Sequence, residues 1–314
     1  LFVKVIFYQW NRLCNSNVSL ELQTKNNRNK EKMMIGAIIG DIVGSRFEYN
    51  NIKSKEFELF TDDCFFTDDT VTTLAVAKII LESENEIKFY DLDGLTKKSV
   101  FWMQEVCRRY PNSGYGGLFY DWVFKEKPEP YNSFGNGSAM RISPVVYIHN
   151  EPKISFVCGA ITHITHSHEQ GMIGAEVVCN ATKFAEFGSD KKFIEEYVSK
   201  YYDIDFALDE IRDSYKYDVT CQGTVPVAIK AFLESCSFED AIRNAISIGG
   251  DSDTIAAITG SIAGAYYGVP EEIEKKALEY LDDYLLDIYH KYDEQQNKWA
   301  YWDFEERWGR QKIY

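Results

Sequence analysis

The chain has 314 residues, of which 45% are hydrophobic and 26% are charged. This composition is typical of one large globular domain or two small ones. The formal net charge of −15 argues against nonspecific binding to nucleic acid or to an anionic membrane, because both need clustered Lys and Arg. No apolar run approaches the ~20 residues of a membrane span. Because the chain is acidic, an anionic substrate would need metal ions or local N–H groups to bind to it.

The seven cysteines are scattered, odd in number and free of Cys-x-x-Cys spacing. That pattern indicates reduced thiols rather than a disulfide framework. It predicts a cytoplasmic protein in which most cysteines are core residues.

Residues 1–32 differ from the rest of the chain. A short apolar run, Leu1 to Trp10, is followed by an Asn- and Lys-rich stretch that ends before Met33. The run could be a strand or a degenerate targeting segment, although no basic region precedes it and no small-residue cleavage site follows. We predict that residues 1–32 are a leader, disordered or outside the fold, and that the functional domain spans residues 33–314.

From Met34 onward apolar residues recur mostly at helical spacing, and strand-like alternation is rare. The helix-patterned ranges are 71–81, 160–164, 173–185, 228–233, 241–248, 255–267 and 273–289. No repeat or linker divides the chain after Met34. We therefore predict an all-α fold, a single domain of many helices in an orthogonal bundle.

Two acidic clusters each precede a helix-patterned run: Phe66-Thr67-Asp68-Asp69-Thr70, and Gly249 to Thr254 with Asp251 and Asp253. Carboxylate and hydroxyl oxygens are ligands for hard cations such as Mg²⁺ or Mn²⁺ and not the set that zinc prefers. Helix capping is the alternative, since Asp, Ser and Thr satisfy free N–H groups at helix starts. One Asp suffices for a cap, whereas neighbouring carboxylates repel unless cations intervene. The clusters predict a pair of divalent ions.

A near copy of the first cluster, Phe60-Thr61-Asp62-Asp63, lies just upstream. No helix pattern follows it directly. We interpret Asp62 and Asp63 as loop or substrate-side charges.

Two glycine-rich stretches could approach a ligand with their backbone. Gly135-Asn136-Gly137-Ser138 precedes a helix-compatible run, a layout that presents N–H groups to an anion such as pyrophosphate. Ser113-Gly114-Tyr115-Gly116-Gly117 permits close approach to ribose or phosphate. An ordinary turn is the alternative for both stretches. Nearby, His163, His166 and His168 are closely spaced, but no Cys or carboxylate stands where a zinc site would need one.

Five motifs, taken in order, resemble the ADP-ribosylglycohydrolase family. They are Met34 to Glu48, Phe66 to Thr70, Gly135 to Arg141, Thr165 to His168 and Gly249 to Thr254. Five ordered motifs are far more specific than any single one. The resemblance implies an all-α protein with a binuclear Mg²⁺ or Mn²⁺ centre. It also implies cleavage of the N- or O-glycosidic bond at the distal ribose of ADP-ribose.

The resemblance further implies roles for individual residues. The metal ligands would be Thr67, Asp68, Asp69, Asp251, Asp253 and Thr254, with Asp253 as the bridge. The substrate-binding residues would be Gly116, Gly117, Gly135, Asn136, Gly137, Ser138, Met140 and His166, the last beside the phosphates or the adenosine ribose. Glu48 would be the general acid or base near the anomeric carbon. A solvated loop charge is the alternative for Glu48, and Asp41 is interpreted as a structural cap.

The expected partner is an ADP-ribosylated protein side chain, nucleobase or small molecule, from which ADP-ribose is released. The alternative is a noncatalytic ADP-ribose-binding or structural protein on the same scaffold. The presence of all six expected ligands and of Glu48 favours the enzyme, because a noncatalytic scaffold has no physical reason to keep repelling carboxylates together. A two-metal phosphoesterase is a weaker third hypothesis. The sequence predicts neither the acceptor nor the oligomeric state.

Overall fold

A computed structural model describes residues 34–148 and 151–308 of the protein. The predicted leader, residues 1–32, lies outside these ranges. Within them the chain forms fifteen α-helices and two short 3₁₀ turns, without a β-strand. The helices are α1 (Ile35–Gly44), α2 (Asp68–Glu82), α3 (Glu84–Phe89), α4 (Leu92–Cys107), α5 (Gly117–Phe124), α6 (Gly137–Met140), α7 (Glu151–His163), α8 (Glu169–Glu186), α9 (Lys191–Val198), α10 (Leu208–Ile211), α11 (Cys221–Leu233), α12 (Phe238–Ser247), α13 (Ser252–Tyr267), α14 (Glu271–Leu278) and α15 (Asp283–Trp308). The predicted all-α fold is confirmed.

Helix α13 is the centre of the bundle. Every residue from Ser252 to Ala265 is buried, and α1, α8, α11 and α12 all pack against it. Helix α2 packs against α1 and also contacts α4, α13 and α15. The N-termini of α2 and α13 both lie near the C-terminal half of α1, since Thr67 hydrogen-bonds to Asp41 and Gly44 touches the backbone of Asp253.

Glycines on one face of α1 allow its backbone to touch α13. A Cβ atom on Gly40 would lie 2.0 Å from the carbonyl oxygen of Ala256, and one on Gly44 would lie 2.5 Å from the Cα of Asp253. Both distances are shorter than any van der Waals contact, so no larger residue fits. This close approach brings α1 and the segment after it next to the start of α13.

One predicted helix is two helices in the structure. The pattern over 273–289 was interpreted as continuous, but α14 ends at Leu278 and α15 begins at Asp283. The carboxylate of Asp282 accepts hydrogen bonds from the backbone N–H groups of Tyr284 and Leu285 and so caps the new helix. Apolar periodicity continues across the break because both helices face the same core.

The six cysteines in the described ranges are free thiols, and all except Cys236 are buried. This agrees with their interpretation as core residues. No helix in this part of the chain is long and apolar enough to cross a membrane.

Candidate metal centre and substrate loops

Five carboxylates from three segments form two overlapping groups. In the first, Asp41 of α1, Asp69 of α2 and Asp253 of α13 each offer an oxygen atom within 4.8 Å of the others. In the second, Glu48, Asp251 and Asp253 do the same. Asp253 is common to both groups, as a bridging ligand would be. The two acidic clusters and the end of the opening motif thus meet at one place.

Asp41 is fully buried beside the first acidic cluster. Its carboxylate accepts hydrogen bonds from the Thr67 N–H at 2.9 Å, the Thr67 hydroxyl at 2.7 Å and the Thr70 N–H at 3.0 Å. It is therefore a cap, as interpreted, but it caps α2 rather than its own helix. Its membership of a carboxylate group was not foreseen, because only the packing of α1 places it there.

Capping accounts for the two acidic clusters only in part. Thr67 is the N-cap residue of α2, and its hydroxyl accepts from the Asp69 N–H at 3.3 Å. Asp251 occupies the N-cap position of α13 but makes no capping hydrogen bond through its side chain. Its carboxylate instead accepts from the Asn136 amide at 2.6 Å. The carboxylate of Asp251 is thus directed towards the site.

The electrostatics of the site favour a bound cation. Burial raises the pKa of Asp41 and of Asp251 to about 6. Burial, and then neighbouring carboxylates, raise the pKa values of Asp68, Asp69 and Asp253 well above their ordinary range. The Oδ1 atom of Asp69 is buried without a hydrogen-bond partner in the described part of the chain. An all-oxygen donor set with excess negative charge and an unsatisfied oxygen fits a hard divalent cation.

The remaining predicted ligands surround these groups. The Thr254 hydroxyl donates to Asp69 Oδ2 at 3.1 Å. Asp68 belongs to neither three-carboxylate group; its N–H donates to the Ser113 carbonyl at 2.7 Å. A Cβ atom on Gly114 would lie 3.4 Å from its Oδ1. Asp68 therefore borders the loop that leads to Gly116 and Gly117.

Glu48 follows the 3₁₀ turn Ser45–Phe47 and is half-buried. The Tyr217 hydroxyl donates to its Oε1 atom at 3.1 Å. The Asn51 amide donates to the carbonyls of Phe47 at 2.6 Å and Gly250 at 2.9 Å, and its oxygen accepts from the Gly250 N–H at 2.8 Å. Asn51 thus ties the Glu48 segment to the turn that carries Asp251.

Neither Asn51 nor Tyr217 was found from the sequence, since loop residues without a motif carry no signal. The turn before Asp251 does carry a sequence signal, which is its pair of glycines. Gly249 and Gly250 have φ of 67° and 76°, values that favour glycine.

Hydrogen bonds to neighbouring segments hold the loop Gly135 to Ser138. The Asn136 N–H donates to the Val219 carbonyl at 2.8 Å, and the Ser138 hydroxyl donates to the Gly171 carbonyl at 2.8 Å. Met140 is buried, with its sulfur 3.8 Å from the Thr254 hydroxyl. The side chains of Asn136, Ser138 and Met140 therefore make structural contacts, and a ligand would meet the backbone of this loop.

His166 faces that loop. A Cβ atom on Gly137 would lie 3.5 Å from the imidazole Nε2, and one on Gly135 would lie 3.8 Å from it. Gly116 and Gly117 are exposed, and a Cβ atom on either would meet nothing within 4 Å. Their backbone is accessible at the N-terminus of α5.

A family model described as ADP-ribosylglycohydrolase matches residues 25–301. The chain belongs to the ADP-ribosylglycohydrolase family. As a member it is a hydrolase, and the match begins inside the segment predicted as a leader.

Similar proteins carry related names. ADP-ribosylhydrolase ARH3 of Xenopus tropicalis is 25% identical, over 75% of this chain and 86% of that protein. The human ARH3 is 24% identical, over 81% and 90%. ADP-ribosylarginine hydrolase Tri1 of Pseudomonas putida is 24% identical, over 78% and 73%. A solved ADP-ribosylglycohydrolase-related protein complex superimposes with a TM-score of 0.57 at 21% identity, covering 86% of this chain and 97% of that one, which shows the common fold.

The upstream copy Thr61-Asp62-Asp63 lies at the surface of this ADP-ribosylglycohydrolase. Asp62 and Asp63 are exposed, and Asp63 pairs with Arg46 at 3.5 Å. Asp62 and Asp63 thus lie on an exposed loop, which agrees with their interpretation as loop or substrate-side charges.

Proposed function

We propose that this ADP-ribosylglycohydrolase cleaves the glycosidic bond at the distal ribose of an ADP-ribosylated acceptor and releases ADP-ribose. The acceptor is a protein side chain, a nucleobase or a small molecule. The observation that carries the proposal is the pair of carboxylate groups that share Asp253, because one of them contains the candidate proton-transfer residue Glu48. Family membership and the names of the relatives support it.

Two divalent cations, Mg²⁺ or Mn²⁺, are proposed as the cofactor. The residues that would hold them are Thr67, Asp68, Asp69, Asp251, Asp253 and Thr254. Asp41 is not included among the ligands, because three hydrogen bonds already occupy most of the lone pairs of its carboxylate. Through these bonds it positions Thr67 and the start of α2. Bound cations of this kind orient ribose hydroxyls, polarise an oxygen and stabilise developing charge.

Glu48 is proposed to move the proton in the reaction. The oxygen of a water molecule bonds to the anomeric carbon, and the bond from that carbon to the leaving nitrogen or oxygen breaks with its electron pair on the leaving atom. One proton must pass from the water to the leaving atom. A half-buried carboxylate beside the ribose can accept and return it. The hydrogen bond from Tyr217 fixes the orientation of the Glu48 carboxylate.

The substrate loops are proposed to bind the rest of ADP-ribose. Exposed backbone at Gly116 and Gly117, at the N-terminus of α5, can approach ribose or phosphate. The backbone N–H of Gly137, with the His166 imidazole beside it, is offered to the pyrophosphate, whereas the Gly135 N–H already donates to the Ser133 hydroxyl at 3.1 Å. The negative charge of the whole chain makes such local donors necessary.

A panel of ADP-ribosyl adducts tests the proposal. Arginine, serine, acetyl and nucleobase adducts are incubated with the protein with Mg²⁺, with Mn²⁺ or with chelator, and the products are separated. We expect free ADP-ribose from at least one adduct, and only with metal. Release of AMP or phosphate would indicate a phosphoesterase instead. Binding of ADP-ribose with no cleavage of any adduct would indicate a noncatalytic protein.

A further inference from the structure

We propose that Arg141, Thr165 and His166 form a hydrogen-bonded relay that fixes His166 as the neutral tautomer with its proton on Nε2. The relay would give the Gly135–Gly137 loop a permanent hydrogen-bond donor for an anionic oxygen. The nature of that ligand, a phosphate of ADP-ribose, rests on the proposed function. The tautomer itself does not. Arg141 and Thr165 are positioning residues in this relay.

The relay begins at a buried guanidinium. Arg141 is 1% exposed, and its Nη2 atom lies 2.7 Å from the Thr165 hydroxyl oxygen. A guanidinium only donates hydrogen bonds, so the Thr165 oxygen is the acceptor. The hydroxyl proton of Thr165 must therefore point elsewhere.

The second step transfers this orientation to the imidazole. The Thr165 hydroxyl oxygen lies 2.7 Å from His166 Nδ1, and Thr165 is fully buried. In the described part of the chain Nδ1 is the only acceptor within reach of that hydroxyl proton. A proton on Nδ1 would leave the Thr165 hydroxyl as an unsatisfied buried donor, which is costly. Nδ1 is thus the acceptor, and Nε2 carries the proton.

The third step is the direction of the donor. Nε2 faces the loop, within 3.5 Å of where a Cβ atom on Gly137 would lie. No described residue accepts a hydrogen bond from Nε2. Glycine at 135 and 137 keeps the space in front of Nε2 open. The donor is therefore available to a ligand on the loop.

The surroundings keep His166 neutral. Burial, and then the positive charge of Arg141, lower the pKa of His166 well below its ordinary value. The other titratable groups nearby are Tyr131, whose ring lies 6.2 Å from the imidazole, the Cys221 thiol, which donates to the Gly135 carbonyl at 3.1 Å, and His168 at the start of α8. Burial raises the pKa values of Tyr131 and Cys221 to about 12, so both are neutral. The relay thus supplies a donor that does not vary near neutral pH.

Nuclear magnetic resonance of the metal-loaded protein with ¹⁵N-labelled histidine tests the relay without any activity. His166→Gln identifies the His166 signals by their absence. We expect wild-type signals of a neutral ring protonated on Nε2, unchanged from about pH 6 to about pH 8. Thr165→Val should give a mixture of tautomers, and Thr165→Ser, which keeps the hydroxyl, should restore the wild-type signals. A wild-type ring protonated on Nδ1, or charged at neutral pH, would overturn the relay even if a variant fails to fold.

Calorimetry with ADP-ribose tests the role of the donor. Thr165→Val should weaken binding about tenfold, the scale of one lost hydrogen bond to a charged group, and Thr165→Ser should not. Equal affinities in a Val variant whose tautomer has shifted would overturn the role in ligand binding. A wild-type protein with the expected tautomer that does not bind ADP-ribose would support the relay but contradict the proposed function.

Discussion

Glu48 is the residue whose substitution separates chemistry from binding. Glu48→Gln keeps the shape of the side chain and removes its ability to exchange a proton. We expect release of ADP-ribose to slow by roughly 10²-fold or more, the usual scale of lost acid–base assistance. ADP-ribose affinity should stay within a few-fold.

Single-turnover release and calorimetry on both forms would measure this, with Glu272→Gln as the matched control, because Glu272 is exposed on α14. An unchanged rate in Glu48→Gln would remove Glu48 from the mechanism.

Asp253 and Asp62 distinguish the centre from its near copy. Asp253 is buried and common to both carboxylate groups, whereas Asp62 is exposed. Asp253→Ala should abolish turnover and reduce the number of bound Mg²⁺ or Mn²⁺ ions, and Asp62→Ala should leave both within about twofold. Elemental analysis and the adduct assay would show the difference. Equal losses in the two variants would place the centre elsewhere.

At the scale of secondary-structure elements, the close contact between α1 and α13 brings Asp41 next to Asp253. Gly40→Ala puts a methyl group 2.0 Å from the carbonyl oxygen of Ala256, and backbone cannot move away as a side chain can. We expect a loss of about 1–3 kcal/mol or more in the free energy of unfolding, together with weaker metal binding, since Asp41 moves with α1.

Gly159→Ala in α7 is the matched control for that substitution. A Cβ atom there meets nothing within 4 Å, so alanine should stabilise the helix by roughly 0.5–1 kcal/mol. Urea denaturation would measure both variants. A Gly40→Ala protein as stable as wild type would show that the two helices can separate at little cost.

At the scale of the whole molecule, the buried carboxylates link stability to pH and metal. The folded-state pKa of Asp41 is raised to about 6, above its unfolded value. The stability that Asp41 contributes is therefore present below the unfolded pKa and lost as the pH rises through about 6. Asp251 behaves in the same way. In the proposed centre, cations would bind the deprotonated carboxylate of Asp251 and offset this loss.

We expect the gain in Tm on adding Mg²⁺ or Mn²⁺ to be larger at about pH 7.5 than at about pH 5. Thermal unfolding with metal and with chelator at each pH would measure this gain. Surface groups such as Asp209, whose pKa is lowered by its hydrogen bond to Arg212, affect both Tm values equally, so their contribution cancels when the Tm with chelator is subtracted from the Tm with metal. A metal effect that is constant over this range would contradict the assignment of Asp251 as a metal ligand.

The predicted boundary of the domain is also tested on the whole molecule. A chain that starts at Met33 should bind metal and release ADP-ribose as the full chain does, since no motif lies in residues 1–32. The family match begins at residue 25, so a second chain starting there is the control. A chain from Met33 that fails to fold, beside one from residue 25 that folds, would move the boundary.

Local sequence was enough for most of the helices that carry the site. Periodicity from Val71 predicted the body of α2, and periodicity from Ile255 predicted the body of α13. Such patterns depend only on neighbouring residues along one helix. The break at Asp282 was missed, because apolar spacing continues where a cap starts a new helix.

The sequence by itself determined which donor atoms are present in the two acidic clusters, and it predicted hard cations for them, because oxygen donors favour such ions whatever the fold. Through the family resemblance it also predicted Glu48 as the general acid or base. Only the tertiary structure decided which of these groups meet. Asp41 joins Asp69 and Asp253 because glycines let the backbone of α1 touch α13. The Arg141, Thr165 and His166 relay likewise depends on the direction of each side chain, and spacing along the chain does not encode that direction.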